Sequence, residues 1–348
     1  MSIAAGFYIS ADPVLRVFGF DRYGRARFQV LATLEWGYSV VDDTVETLIG
    51  RVAQLFSSAD LTFGHGTDNP VDEAAYLVFA VLGLDHDQIP AAYASRVSET
   101  DAERVLTLAG RRTEERIPVA YLVNQGWFAG RQFYVDERVL IPRSPFAELI
   151  EQRFSPWVDG GQDLEVLELG TGSGCIAISI ALEMPRAQVV AIDLTPAALD
   201  VARINVERHD VGDRVQLLES NFFAALRAGA NPTFDLIVSN PPYVDAEEMS
   251  GLPAEYRHEP TVALESGLDG LDSTITILHD AADFLNESGV LVVEVGNSQA
   301  ALTAAFPHVP FVWLEFAYGG GGVFLMTKPD LIEHQAEFAA AAERRRGR

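Results

Sequence analysis

The chain has 348 residues, 48% of them hydrophobic and 22% charged, enough for one large domain or two unequal ones with a full apolar core. Its 20 Phe and 10 Tyr exclude disorder as the dominant state, and no apolar run reaches the roughly 18 uncharged residues of a membrane helix. Fifty acids against 25 bases give a net charge of −25, a field that repels nucleic-acid phosphates and attracts basic partners, so direct DNA binding is not expected.

The first segment, residues 1–40, is apolar but has no basic leader and is interrupted by Asp12, Arg16 and Asp21. It does not read as a signal peptide, a cytoplasmic location is expected, and the segment receives no functional assignment. Residues 41–120 read as a small helical domain. Asn69 followed by Pro70 marks a helix start, with Asp72 and Glu73 suited to a first turn. Ala74 to Leu84 is apolar nearly all round, as in a buried helix. Ser98, with Asp101 three residues on, opens a helix running towards Arg116, which Ile117 and Pro118 break. Residues 121–145 form a linker in which Trp127 to Ile141 alternate around Gly130, the pattern of a short hairpin.

From residue 146 to 330 short apolar runs alternate with helical segments. Strands are expected at Leu164–Leu169, Gln188–Leu194, Val215–Glu219, Asp235–Ser239 and Val290–Val295. Helices are expected at Cys175–Glu183, Ala197–His209 and Ser273–Asn286. That alternation implies a mostly parallel α/β sheet covered on both faces, and Phe311–Phe316 with Val323–Thr327 closes it as an antiparallel hairpin. Cys175 is the only cysteine, which leaves no intrachain disulfide or Cys-based zinc site; it reads as a small core residue at a helix start, and no metal is expected. Residues 331–348, with Arg344–Arg346, read as a solvated tail.

Two motifs carry chemistry. Glu168-Leu169-Gly170-Thr171-Gly172-Ser173-Gly174 lies where a strand gives way to a helix, and its glycines let the backbone turn sharply and approach a ligand. Asp193 ends the next strand, 23 residues after Gly170, where a carboxylate can accept from a ribose diol. A glycine-rich turn alone also fits a structural turn or a nicotinamide cofactor. The preceding strand, the following helix and the acid together favour a nucleoside cofactor. Asn240-Pro241-Pro242-Tyr243 follows another strand, so it too sits at the carboxyl edge of the sheet. The amide oxygen of Asn240 and the carbonyl of Pro241 can accept from a planar NH2 group, and Tyr243 can pack on its flat face. That arrangement holds a weakly nucleophilic nitrogen in line with a methyl sulfonium.

The pair of motifs resembles class I S-adenosylmethionine methyltransferases acting on planar amide or amine nitrogens. More narrowly, the chain is similar to the bacterial protein N5-glutamine methyltransferases, in the branch acting on large-subunit ribosomal protein three. The stretches that support the branch are Gly64 to Pro70, Arg116 to Leu122, Phe133 to Pro145 and Leu252 to Pro260. The resemblance implies a Rossmann-like seven-stranded methyltransferase sheet with a C-terminal antiparallel hairpin, beside the helical domain. It implies S-adenosylmethionine as cofactor and a basic ribosomal protein as partner. Glu168 and Gly170, Thr171, Gly172, Ser173 and Gly174 would cradle the methionine part of the cofactor, with Asp193 on the ribose and Asn240 nearby. Phe222 would pack on the adenine, beside Asn221, which replaces the usual acid. Asn240, Pro241, Pro242 and Tyr243 would hold the substrate amide. Residues 1–40 lie outside the resemblance.

Several side chains invite bland and functional readings side by side. Arg143, between two prolines, either bridges the hairpin to the cleft or binds substrate. His65 reads as part of a glycine turn, His258 as an aid to the loop after Tyr243, and Glu294 as a local cap on its strand. Between Val244 and Ser273 eight acids face one base, Arg257, which reads as an acidic rim that steers a basic protein. Release-factor methylation, or methylation of a nucleic-acid adenine, would use the same catalytic motifs.

Overall fold

The computed structural model describes residues 16–20, 26–29, 44–84, 92–229 and 231–347, in two compact units that divide at Glu115 and Arg116. Within residues 1–40 the strands β1 (Arg16–Phe20) and β2 (Ala26–Gln29) pair antiparallel; the remainder of that segment, and residues 41–43, lie outside the described residues.

Among the described residues the first unit holds three longer helices. Thr44 caps Val45–Ser58 in a capping box with Thr47, and the buried positions Val45, Leu48, Ile49, Val52 and Phe56 follow the helical period. Asn69 caps Pro70–Leu82 by accepting from the amides of Val71 and Asp72, and Gly83 ends it in the left-handed region. That helix is buried from Asp72 to Phe79, as its uniform apolarity implied. Ser98 and Asp101 exchange bonds at the start of Glu99–Glu115, whose Arg112 reaches the buried Glu73 at 3.1 Å and the carbonyl of Thr62 at 2.9 Å.

The second unit opens with the helix Val119–Val123 and the hairpin β3 (Gly126–Phe128) and β4 (Arg131–Phe133). Ala129 and Gly130 both have positive φ, which a two-residue hairpin turn requires. The hairpin is therefore shorter than the alternation from Trp127 to Ile141 suggested, and residues 134–145 continue without regular structure into the helix Phe146–Glu151.

The main sheet comprises β5 (Leu164–Leu169), β6 (Ala187–Asp193), β7 (Val215–Glu219), β8 (Phe234–Ser239), β9 (Leu285–Glu294), β10 (Val312–Trp313) and β11 (Val323–Thr327). Their order is β10-β11-β9-β8-β5-β6-β7; β5 to β9 are parallel, and β11 runs antiparallel to both β9 and β10. Val166, Leu236, Val238 and Val292 face one core, while Leu167, Ile237, Leu291 and Phe324 face the other, so the central strands alternate between two buried layers.

Further boundaries differ from expectation, among them the strand expected at Phe311–Phe316, which is only Val312–Trp313. The helix from Asp272 ends at Asp280, and a 3-10 turn (Ala281–Phe284) leads into β9 at Leu285, so the chain turns about six residues earlier than helical periodicity alone suggested. There Asn286 donates to Asp235 at 2.6 Å and ties the strand start to its neighbour β8. The supposed solvated tail is a helix, Gln335–Arg346, because Phe338, Ala341 and Ala342 form an apolar stripe buried in the second core. One turn further on, Arg345 reaches Asp269 at 2.7 Å and also meets Asp272.

Among the described residues no helix is long and apolar enough to cross a membrane.

Candidate active site

Chain order places the site. The chain leaves β5 for β6 and β7 on one side, then returns to β8 on the other, so a crevice opens where the connections diverge. Leu169 stands in register with Ser239, which brings Gly170 and Asn240, the next residues along, together at the carboxyl edge. The Ser239 hydroxyl donates to the Leu169 carbonyl at 2.8 Å and holds the two strand ends together. A cleft of about 250 Å³ lies there.

Gly170, Gly172 and Gly174 have φ of +75°, +54° and +80°, a region that side chains rarely adopt. A Cβ on Gly172 would meet nothing within 4 Å, whereas one on Gly174 would lie 3.1 Å from Ile178 Cδ1 and 3.3 Å from Ala202 Cβ. The first glycine thus leaves room in the cleft, and the second allows close helix packing. Glu168 props the loop from beneath: it accepts from the Thr171 hydroxyl at 2.6 Å and the Ala177 amide at 3.0 Å. Burial pushes its pKa up to about 8 against the pull of those bonds.

Asp193 accepts from the Gly172 amide at 2.9 Å on one oxygen, and from the Thr195 amide and hydroxyl at 2.9 and 2.7 Å on the other. The carboxylate therefore braces the glycine loop as well as lining the cleft. Of its roughly four acceptor directions three are in use. Asn221 and Phe222 also line the cleft, and Phe222 holds a φ of +46°, a strained backbone for an aromatic residue. Cys175 is buried at the first position of the helix Cys175–Glu183, its thiol pushed up to about 12 by burial.

Asn240 and Pro242 line the cleft too, and Tyr243 is clamped. Its carbonyl accepts from the Ser298 hydroxyl at 2.7 Å, and its own hydroxyl donates to Glu294 at 3.3 Å. A side chain on Gly296 would fall 2.5 Å from the Tyr243 ring, so only glycine permits the packing. Glu294 is no local cap: its other oxygen accepts from the Ser144 hydroxyl at 2.5 Å, across 150 residues of sequence.

Arg143 sits at the cleft wall, and Glu259 holds it by two bonds of 2.5 and 2.7 Å. Glu259 also accepts from the Ile141 amide at 3.1 Å, and the guanidinium lies 5.5 Å from the Tyr256 ring centre. The pair bridges the segment after the hairpin to the loop after Tyr243, which is one of the two roles the sequence allowed. Arg116 similarly meets the buried Glu255 at 3.3 Å. His258 lies 3.6 Å from Glu137, and His65 is buried in the first unit.

These pairings correct the acidic-rim reading. Glu255 and Glu259 are buried against arginines, and Asp269 and Asp272 meet Arg345. Asp245 caps the helix Ala246–Gly251, and Glu248 accepts from Asn297. Arginines from outside the stretch and a local helix cap engage most of these acids, while Glu247 and Glu265 stay exposed.

Asn205 was not singled out from sequence. Fully buried, it donates to the carbonyls of Ser173 and Tyr134 at 2.8 and 2.9 Å and accepts from the Tyr134 amide at 2.7 Å. It thereby pins the glycine loop to the segment after β4. A polar residue on an otherwise apolar helix stripe (Leu199, Ala202, Val206) was the available signal.

The cleft fits a nucleoside cofactor on its own geometry: an open glycine turn, a carboxylate with spare acceptor capacity, and an aromatic ring beside them. Comparison with known proteins narrows this. The family profile described as methyltransferase small domain matches residues 152–255. The ribosomal protein uL3 glutamine methyltransferase of Neisseria meningitidis (serogroup A, strain Z2491) is 47% identical over 290 residues, covering 83% of this chain and 94% of that protein. The protein of the same description from Neisseria gonorrhoeae (strain FA 1090) is 46% identical, covering 83% and 96%. A solved methyltransferase structure from Pyrococcus furiosus is 18% identical with a TM-score of 0.40, covering 66% of this chain and 99% of that one.

Proposed function

The chain belongs to the family of ribosomal protein uL3 glutamine methyltransferases, and we propose from that premise that it methylates the side-chain amide nitrogen of a glutamine in uL3. The observation that carries the reading is the register that sets Asn240 beside Gly170 at the divergence of β5 and β8. Gly170 to Gly174 would hold the methionine part of S-adenosylmethionine, Asp193 would accept from a ribose hydroxyl, and Phe222 with Asn221 would flank the adenine. When bound, S-adenosylmethionine would supply an electrophilic methyl group whose sulfonium carbon–sulfur bond breaks as the nitrogen–carbon bond forms, leaving S-adenosylhomocysteine.

The residues answer the main difficulty of the reaction, which is the poor nucleophilicity of an amide. A glutamine nitrogen shares its lone pair with the adjacent carbonyl. Asn240 Oδ1 and the Pro241 carbonyl accept its two hydrogens, raise electron density on nitrogen and fix its direction of approach. Pro241 and Pro242 stiffen the carbonyl's position, and Tyr243 packs on the flat face of the amide. The N-methylated amide cation is strongly acidic, so its proton passes to Asn240 or water, and no dedicated general base is assigned.

The helical unit is the region that selects the protein partner, since the Gly64–Pro70 stretch typical of the branch lies there. A net charge of −25 favours a basic protein over nucleic acid, and a cytoplasmic location accords with a ribosomal substrate. The test is methyl transfer from labelled S-adenosylmethionine to purified uL3, to release factor and to duplex nucleic acid. Label on uL3 alone is expected; label on release factor alone moves the chain's target, and label on duplex nucleic acid removes the glutamine chemistry.

A further inference from the structure

Glu294 stands at the end of β9 with 5% of its surface exposed, between two segments remote from it in sequence. Ser144 comes from the stretch that leads from the hairpin to the cleft wall, and Tyr243 from the substrate loop. Both present hydroxyl hydrogens to the same carboxyl, one on each oxygen. Gly296 closes against the Tyr243 ring itself, and the Ser298 hydroxyl holds the Tyr243 carbonyl. Among the described residues, the hydroxyl's bond to Glu294 is the one polar tether of the Tyr243 ring. The ionisable groups facing Glu294 are Tyr243 and Arg143, the latter neutralised by Glu259. Burial raises the Glu294 pKa to about 7, while Ser144, Tyr243 and Arg143 draw it down.

We propose that Glu294 is a positioning residue for methyl transfer: as a carboxylate it accepts from Ser144 and Tyr243 together, and so sets the Tyr243 ring against the substrate amide while tying the cleft wall to the same point. The proposal rests on the glutamine-amide reading of Asn240–Tyr243. A protonated carboxyl keeps one full acceptor and offers a hydrogen on its other oxygen, so it cannot serve both hydroxyls equally. Activity therefore rises as Glu294 ionises, and the effect falls on turnover more than on cofactor affinity.

The experiment measures kcat and KM for uL3 against pH for the wild type, Glu294→Gln, Tyr243→Phe and the double variant, with S-adenosylmethionine affinity titrated for each. Glu294→Gln is expected to lower kcat about tenfold, the loss of one charge-assisted bond, with cofactor affinity near wild type. It should also abolish the acid limb near neutral pH that is expected of the wild type. Tyr243→Phe keeps the ring and gives a comparable loss, and the double variant is no slower than the slower single one. The proposal is overturned by wild-type kcat and pH profile in Glu294→Gln, by losses that multiply in the double variant, or by loss of cofactor binding, which would make Glu294 a general structural residue. A wild-type enzyme that transfers no methyl to uL3 glutamine overturns the underlying reading instead, and the proposal with it.

Discussion

Alanine at Gly174 and at Gly172 separates two uses of glycine within one turn. Both positions have φ in the left-handed region, +80° and +54°, so each substitution carries a conformational cost of about 1–2 kcal/mol. Only Gly174 adds a packing cost. Its new methyl would lie 3.1 Å from Ile178 Cδ1, which can swing aside, and 3.3 Å from the Cβ of Ala202, which has no rotamer to change. Overpacking of this kind costs roughly 1–3 kcal/mol, for a total of about 2–5 kcal/mol. Gly172 opens on empty space within the cleft, so its alanine remains near the lower figure and instead obstructs the ligand. Urea unfolding of both variants, with calorimetric titration of S-adenosylmethionine, checks the division. Gly174→Ala is expected to lose the larger stability and Gly172→Ala the larger affinity. Equal losses of stability, or undiminished cofactor binding by Gly172→Ala, refute the reasoning.

Three further outcomes are expected. Glu168 is raised from an ordinary 4.5 to about 8 by burial, so its stabilising contribution is complete below the lower value and is lost as pH rises through the higher one. Glu168→Gln should accordingly lose less stability than the wild type between about pH 5 and 8, and parallel denaturation curves over that range would contradict the assignment. Asn205→Ala leaves the Ser173 and Tyr134 backbone groups without their buried partner and should cost about 3 kcal/mol in urea unfolding, with cofactor affinity falling as the glycine loop loosens. Phe338→Ala should cost about 3–5 kcal/mol because the ring fills the second core, whereas Arg345→Ala, whose carboxylate partners are about half exposed, should cost less than about 1 kcal/mol. Thermal unfolding that ranks these two in the opposite order would show the C-terminal helix to be held by charge.

Local pattern made much of the sheet legible. Leu164–Leu169 and Val215–Glu219 are strands at the positions their apolar runs indicated, and Gly170–Gly174 and Asn240–Tyr243 stand at the ends of strands because each follows such a run directly. What local pattern omits is pairing across the chain. Glu294 bonds to Ser144 and Tyr243, and Glu259 to Arg143, over separations that no helical or strand period spans. The same omission explains the acidic loop, whose charges look free until Arg116, Arg143 and Arg345 arrive from elsewhere. At the C-terminus the three arginines drew attention away from Phe338, Ala341 and Ala342, whose helical spacing carried the packing signal.

In the proposed reaction Asn240 and Pro241 hold a glutamine amide beside the glycine turn. Mass spectrometry of uL3 after incubation with S-adenosylmethionine and either the wild type or Asn240→Ala tests it most directly. One added methyl on a glutamine side chain with the wild type, and none with Asn240→Ala despite a folded protein, is the expected result. A methyl on any other side chain, or full methylation by Asn240→Ala, contradicts the claim.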